Sequence, residues 1–289
     1  MIKVADGWKE YSVVATGDGY KLERWKDVVL LRPDPQVIWK SQRDIFSYPG
    51  VNAVYHRSEK GGGGWEFKKP MPQEWNVSYR NLTFKVKPMG FKHTGLFPEQ
   101  AVNWDVTSEL IQKRRQKGGV VKVLNLFAYT GGATVSCAKA GAEVVHVDAA
   151  KGMVERAGEN ARLSGIESGI RYIVDDCIKF VRREIRRGNK YDAVIMDPPS
   201  YGRGPGGELW KIENELYPFV ELCGELLSDN ALFFLINSYT TGLQPTVLHN
   251  ILKLCLKGRS GIYDAYEVGL PTEEGIALPC GAGGIYINE

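Results

Sequence analysis

GVVKVLNLFAYTGGATVSCAKAGAEVVHVDAA, residues 119–150, decides how this chain is read. Residues 119–127 are apolar almost throughout, the pattern of a strand buried on both faces. The glycine turn Gly131-Gly132 follows and leads into a short helix over 133–139. A second apolar strand, 142–148, closes on Asp148. Downstream the rhythm repeats: a helix to about residue 163, a strand over 170–176, a basic helix to residue 187, a strand over 191–196, a helix near 212–227 and a strand over 231–237. Alternating strands and helices predict a parallel sheet covered by helices on both faces. The tail departs from that rhythm, because the runs 263–270 and 284–288 are joined by a loop with no room for a helix. Two such strands form an antiparallel hairpin at one edge of the sheet.

Upstream of about residue 89 the texture differs. Short β-like runs (11–15, 27–31, 37–39, 53–56, 65–67 and 82–86) are separated by turn signals such as Gly17-Asp18-Gly19, Pro33-Asp34-Pro35 and the glycine run 61–64, which is expected at a hairpin tip. A small, mostly antiparallel β-rich domain over 1–89, with a role in substrate recognition, is expected to precede a larger domain over 90–289. Hydrophobic content of 43% and charged content of 25% over 289 residues are those of a soluble globular protein. A net charge of +3 does not by itself argue for nucleic acid. The five cysteines show no C-x-x-C spacing, which argues against a metal site and suits reduced thiols in a cytoplasm. Nothing at the N-terminus reads as a signal peptide, and no apolar run reaches the ~20 residues that span a bilayer. A cytoplasmic protein without membrane contact is expected; the sequence leaves its oligomeric state open.

In an open α/β sheet, ligands bind beyond the carboxyl ends of the strands. The first such turn here is Asn125-Leu126-Phe127-Ala128-Tyr129-Thr130-Gly131-Gly132. Glycines let the backbone approach a ligand and open the next helix. The spacing is not G-x-G-x-x-G, so a pyrophosphate cradle is poorly supported. Asp148 and Asp176 close the second and third strands. An ionised carboxylate can accept both hydrogen bonds of a ribose diol, or one from an adenine amino group. Any single acid at a strand end is explained by solvation or by helix capping. Acids after the second, third and fourth strands together, with a glycine turn after the first, are not.

These stretches resemble the class I S-adenosylmethionine-dependent methyltransferases, and within them the large-subunit rRNA methyltransferases that act on cytosine C5 or guanine N2. The resemblance rests on HTGLFPEQ (93–100), VLNLFAYTGGATVSCAKAGA (123–142), VVHVDAAKGMVERAGEN (144–160), VDDCIKFVRR (174–183), YDAVIMDPPSYGRG (191–204) and LPCGA (278–282). It implies a Rossmann-like, seven-stranded sheet, S-adenosyl-L-methionine as cofactor and RNA as partner. By the same resemblance, Asn125, Phe127, Ala128, Tyr129, Thr130, Gly131 and Gly132 face the methionine part of the cofactor. Asp148 faces the ribose hydroxyls, and Asp176 with the Cys177 amide the adenine. Ala149 and Asp197 complete those contacts, and Thr94, Phe97 and Gln100 lie near the cofactor.

The remaining motif, Asp197-Pro198-Pro199-Ser200-Tyr201, carries the chemistry. Consecutive prolines fix φ and push the preceding residues toward extended geometry, which makes a stiff corner. Asp197 and the Pro198 carbonyl can accept the hydrogens of an exocyclic amine, so that its lone pair points at the methyl, while Tyr201 stacks on the base. Ser200 lengthens the usual [D/N]-P-P-[Y/F/W] pattern, a spacing the cytosine-specific relatives share, so the motif alone does not choose nitrogen over carbon. Those relatives carry a nucleophilic cysteine after the fifth strand, in a Ser-Cys-Ser-like segment. Here that stretch is LINSYTTGL (235–243), without cysteine, and Cys280 in the closing hairpin loop is the residual candidate. An exocyclic amine is therefore favoured over cytosine C5. Two rivals from other classes are a nicotinamide-dependent oxidoreductase and a cofactor-binding protein without catalysis. For RNA contact, the basic helix 178–187 (Lys179, Arg182, Arg183, Arg186, Arg187) and the run KRRQK (113–117) are candidates against phosphate. Trp25, Trp39, Tyr55, Trp65 and Trp75 either stack on unpaired bases or form the core of the β domain.

Overall fold

The computed structural model describes residues 1–58, 62–203 and 209–288. Contacts divide the chain into two compact units: residues 2–101 with 268–280, and Met1 with residues 102–267 and 281–289. The stretch 90–101 thus groups with the N-terminal residues, and so do the distal ends of the last two strands.

The N-terminal residues form β1 (Ile2–Val4), β2 (Tyr11–Gly17), β3 (Tyr20–Trp25), β4 (Val28–Pro33), β5 (Ala53–Arg57), β6 (Gly63–Phe67), β7 (Trp75–Tyr79) and β8 (Leu82–Val86). Strands β2 to β6 make one sheet in sequence order, and β7 with β8 a separate hairpin. All pairs in the sheet are antiparallel except β4 with β5, which run parallel. β1 lies along the distal part of the penultimate strand, where Ala5 N–H donates to the Gly269 carbonyl at 3.0 Å.

One expectation fails for an identifiable reason. Residues 37–39 form no strand, because the Val37 and Trp39 carbonyls are taken by the amides of Gly19 and Asp18 in the neighbouring turn. The glycine run does fall at the end of a hairpin: Gly62 lies between β5 and β6 and accepts from the Ser58 amide, and Gly63 and Gly64 open β6, where a Cβ on Gly63 would stand 2.1 Å from the His56 carbonyl. Gly61 lies outside the described residues. Among the aromatics, Trp25 and Tyr55 are buried. The Trp39, Trp65 and Trp75 indoles donate to Thr16 Oγ1, the Met89 carbonyl and the Trp25 carbonyl, so all five serve the unit's own packing.

β3 was not legible in the sequence because it carries a charge inward. Glu23 is fully buried and accepts from Arg32 Nε at 2.6 Å, Arg32 Nη2 at 2.9 Å and Tyr11 Oη at 2.6 Å. Burial alone would raise the Glu23 pKa, but Arg32 and Lys21 outweigh it and hold the carboxyl at about 2.

The larger unit contains α1 (Ala101–Gln116, from its second residue), β9 (Lys122–Leu126), α2 (Gly132–Lys139), β10 (Glu143–Asp148), α3 (Lys151–Leu163), β11 (Ile170–Val174) and α4 (Cys177–Arg186). After these come β12 (Ala193–Met196), β13 (Tyr201–Arg203), β14 (Leu209–Lys211), α5 (Ile212–Gly224), β15 (Phe233–Ser238), α6 (Pro245–Cys255), β16 (Ile262–Pro271) and β17 (Ala277–Ile287). The central sheet runs β1-β16-β17-β15-β12-β9-β10-β11, the expected seven strands with β1 added at the edge. Its inner strands pair in parallel and β17 joins β15 antiparallel, as the alternation and its broken tail imply. Every residue of β12 and β15 is buried, which explains their unbroken apolar sequence. Cys280 sits within β17, not in a loop, because Thr272 and Gly275 close the hairpin earlier, with Thr272 Oγ1 donating to the Ile276 carbonyl at 2.8 Å. Among the described residues no helix is long and apolar enough to cross a membrane.

Removing Arg32 leaves the Glu23 charge buried without its main partner. Arg32→Ala is expected to cost about 3–5 kcal/mol, read as a fall in urea midpoint, and an unchanged midpoint would refute that account. The carboxyl's contribution is present above its unfolded pKa of about 4.3 and is lost as pH falls toward the folded value of about 2.

Candidate active site

β9, β10 and β11 follow one another to one side of the sheet while β12 and β15 lie on the other, so the strand order reverses between β9 and β12. Crevices at such reversals are where α/β sheets bind ligands. Leu126 pairs with Met196 in register, so the turn after β9 and the corner after β12 leave neighbouring strand ends. The Asp197 amide donates to the Leu126 carbonyl at 3.3 Å.

The turn is unusual backbone. Phe127 (φ 52°), Tyr129 (φ 49°) and Gly131 (φ 84°) are left-handed, a conformation that costs about 1–2 kcal/mol for a residue with a side chain. Hydrogen bonds from the surroundings hold it. Tyr129 N–H donates to Asp148 Oδ2 at 2.8 Å, Ala128 N–H to the Val147 carbonyl at 3.1 Å, and Asn160 Nδ2 to the Thr130 carbonyl at 2.8 Å. The two glycines answer to packing as well as to any ligand. A Cβ on Gly131 would stand 2.7 Å from Ala157 Cβ in α3, and one on Gly132 2.6 Å from the Trp104 ring in α1.

Asp148 is half-buried. Its Oδ1 accepts from Ala150 N–H at 2.8 Å, so each oxygen receives one amide and keeps further acceptor capacity. Burial raises its pKa against the pull of those two amides. Ala149 beside it is exposed. Asp176 is the N-cap of α4, with Oδ1 accepting from Lys179 N–H at 2.9 Å. Cys177 opens that helix and is buried; its sulfur accepts the Phe127 amide at 3.3 Å. Asn125 lies beneath the turn rather than on its surface: it is buried, and its Nδ2 donates to Thr134 Oγ1 at 2.8 Å. Thr134 Oγ1 is in turn 2.9 Å from His146 Nδ1. Thr94, Phe97 and Gln100 belong to the other unit, beside and within the short 3₁₀ turn Pro98–Gln100. Thr94 is fully buried there, and its hydroxyl has no hydrogen-bond partner among the described residues.

At the corner, Pro198 is buried while Pro199, Ser200 and Tyr201 are exposed, the tyrosine by 55%. Trp210 Nε1 donates to the Pro199 carbonyl at 2.6 Å, and the Ile212 amide to the Ser200 carbonyl at 3.1 Å. Among the described residues none donates to the Pro198 carbonyl. Gly204, the end of the recognised motif, lies outside them. The stretch after β15 is interior: Asn237 Oδ1 accepts from Asn103 Nδ2 at 2.8 Å, and Tyr266 Oη donates to Asn103 Oδ1 at 2.6 Å.

The five thiols are all free, and burial raises every one of them. Cys137 is pushed up to about 12 and Cys255 to about 11, and burial likewise raises Cys177, Cys223 and Cys280 well above the ordinary thiol value. Two residues had no signal in the sequence. His146 lies beneath the turn after β9 through Thr134, and Trp210 holds the Pro199 carbonyl of the corner.

A strand-order reversal flanked by a tightly held turn and acidic strand ends has the form of the ligand crevice of an open α/β sheet. Residues 52–227 match the S-adenosylmethionine-dependent methyltransferase family, and the chain belongs to it. The crystal structure of the S-adenosylmethionine-dependent methyltransferase from Agrobacterium tumefaciens is 31% identical, with a TM-score of 0.93 over 100% of this chain and 94% of that one. The ribosomal RNA large subunit methyltransferase I of Aeromonas salmonicida is 34% identical over 37% of this chain and 26% of its own. The ribosomal RNA large subunit methyltransferase K/L of Pseudoalteromonas atlantica is 32% identical over 50% of this chain and 19% of its own. The chain thus spans about a quarter and a fifth of the length of those two relatives. The cofactor of that family is S-adenosylmethionine, which speaks for methyl transfer and against the oxidoreductase alternative. The residues present fit that cofactor, since Asp148 has acceptor capacity left for a diol at the reversal point.

His146 offers a test of the turn's foundation. Burial lowers its pKa to about 4, so the folded protein refuses a proton that the unfolded chain takes up near pH 6.5. Its share of stability is intact above that pH and shrinks as pH falls toward about 4. Between pH 7.5 and 5 the loss is expected to be about 1–2 kcal/mol, and His146→Gln should remove that part from urea unfolding curves. Identical pH dependence in the variant would contradict a neutral, buried His146.

Proposed function

We propose that this methyltransferase modifies a base in RNA, ribosomal RNA first of all, at an exocyclic amine such as guanine N2 or adenine N6. The state of the thiols carries the choice of atom. Methylation at cytosine C5 needs a thiolate to add at C6 first. With burial raising all five cysteines, each stays protonated and weakly nucleophilic near neutral pH. Cys280, the residual candidate, donates its S–H to the Leu278 carbonyl at 3.5 Å within β17.

The corner supports the amine reading. Asp197 and the Pro198 carbonyl accept the two amine hydrogens, and the exposed Tyr201 ring holds the base by stacking. When bound, S-adenosylmethionine supplies a sulfonium-activated methyl, so the protein's work is orientation at about 3–3.5 Å. Asp148 holds the ribose diol, the left-handed turn 127–131 lines the methionine part, and Asp176 with the Cys177 amide meets the adenine.

Similarity to the two ribosomal RNA large subunit methyltransferases supports RNA as the partner. On α4, Arg183 pairs with Asp175 and Arg187 with Glu184, while Arg182 and Arg186 are exposed and suited to phosphate. The run at the end of α1 is occupied otherwise: Lys113 pairs with Glu109, and Arg114 and Arg115 donate to the Asn230 and Gly119 carbonyls. The β-rich unit is assigned to substrate recognition. Five free thiols fit a reducing, cytoplasmic setting.

RNA methylated by the purified enzyme and digested to nucleosides should yield N2-methylguanosine or N6-methyladenosine. Asp197→Ala should abolish transfer while leaving S-adenosylhomocysteine affinity within a few fold. Recovery of 5-methylcytidine, or an active Asp197→Ala enzyme, would overturn the amine assignment.

Cofactor binding tests Asp148 separately. Asp148→Ala is expected to lose about 2–3 kcal/mol of S-adenosylhomocysteine affinity by titration calorimetry. Because burial raises this carboxyl, wild-type affinity should start to fall at a higher pH than an ordinary aspartate near 3.9 would dictate. Asp148→Asn should flatten that dependence; full affinity in both variants would remove Asp148 from the cofactor site.

A further inference from the structure

Trp210 joins the two halves of the site. It lies on β14, paired antiparallel to β13, so that Gly202 faces Trp210 and Tyr201 faces Lys211. The side chain is 7% exposed. Its Nε1 donates to the Pro199 carbonyl at 2.6 Å. Its ring stands 5.2 Å from Phe127, in the turn after β9, and 5.7 Å from Phe219 of α5. Phe127 and Phe219 are themselves 5.8 Å apart, so three rings close a cluster between the corner and the turn.

The bond matters because of where it falls. The Pro199 ring fixes φ, which leaves ψ of Pro199 as the one soft torsion between the Pro198–Pro199 and Pro199–Ser200 peptide planes. A donor clamped on the Pro199 carbonyl fixes that torsion. It thereby sets the direction of the preceding carbonyl, Pro198, relative to the rest of the corner. The indole ring ties the same corner to Phe127, whose backbone belongs to the turn on the neighbouring strand end.

We propose that Trp210 is a positioning residue for methyl transfer. It acts through the corner and the turn, holding the Pro198 acceptor and the turn in one fixed relation. Effective molarity depends steeply on such relations, and about 1 Å of misplacement can cost 10²-fold. This inference rests on the corner being the base-orienting element.

The test compares Trp210→Phe, which keeps an aromatic ring and removes the donor, with wild type. Total RNA from a strain lacking the gene is methylated with labelled cofactor, and incorporation is counted whichever atom is modified. The initial rate at saturating S-adenosylmethionine should fall at least tenfold, with the KM for S-adenosylmethionine, the Kd for S-adenosylhomocysteine and the melting temperature close to wild type. A wild-type rate would overturn the proposal, and so would a rate loss matched by equal loss of cofactor affinity or by melting. The amine assignment is decided apart from this, by which nucleoside carries the label. If no RNA is labelled, proton exchange at the indole decides: the indole N–H signal missing in Trp210→Phe should exchange slowly in wild type, and fast exchange would overturn the clamp.

Discussion

Asp148 receives the Tyr129 amide on one oxygen and the Ala150 amide on the other, and the site depends on that double acceptance. Left-handed backbone at Phe127 and Tyr129 is unfavourable by itself. A hydrogen bond to a charged acceptor contributes about 1.5–3 kcal/mol, enough to offset one such residue. The turn therefore keeps its shape while the carboxylate is ionised, the same state that can accept a diol. Conformation of the turn and readiness for a ligand are one electrostatic condition.

Neighbouring strands divide the labour. β9 ends in a turn of left-handed backbone, whereas β12 ends in backbone made stiff by two prolines. The parallel register between them fixes the spacing of their ends, and the Asp197 amide closes the gap onto Leu126. A rigid acceptor corner beside a rigid turn is what orientation-based catalysis requires, because little acid–base chemistry is left for the protein when the cofactor brings an activated methyl. The protonated thiols agree with that division.

The larger unit was readable because its strands are buried on both faces and its helices alternate with them, a pattern that periodicity reports directly. The places of the acids were equally legible, since Asp148, Asp176 and Asp197 do lie at or just beyond strand ends. Misreadings arose where a local partner overrode the pattern. Glu23 broke the alternation of β3 because Arg32 pays for its burial, and residues 37–39 spent their carbonyls on the turn at Asp18. Asn125 opens the turn in sequence, and its bond to Thr134 places its side chain underneath. Trp210 and His146 lay beyond reach because each acts through a partner distant in sequence: Phe127 and Pro199 for the first, Thr134 for the second.

The β-rich unit is discontinuous, made of residues 2–101 and 268–280. On a translating ribosome its first segment emerges long before its last. At about 5–20 residues per second, the interval is on the order of ten seconds or more. During that time β1 exists without β16, the strand it pairs with. The larger unit is completed last, because residues 281–289, which include the part of β17 paired with β15, follow 268–280. Both units therefore wait for the same closing hairpin, β16 with β17, before their last strand pairings can form.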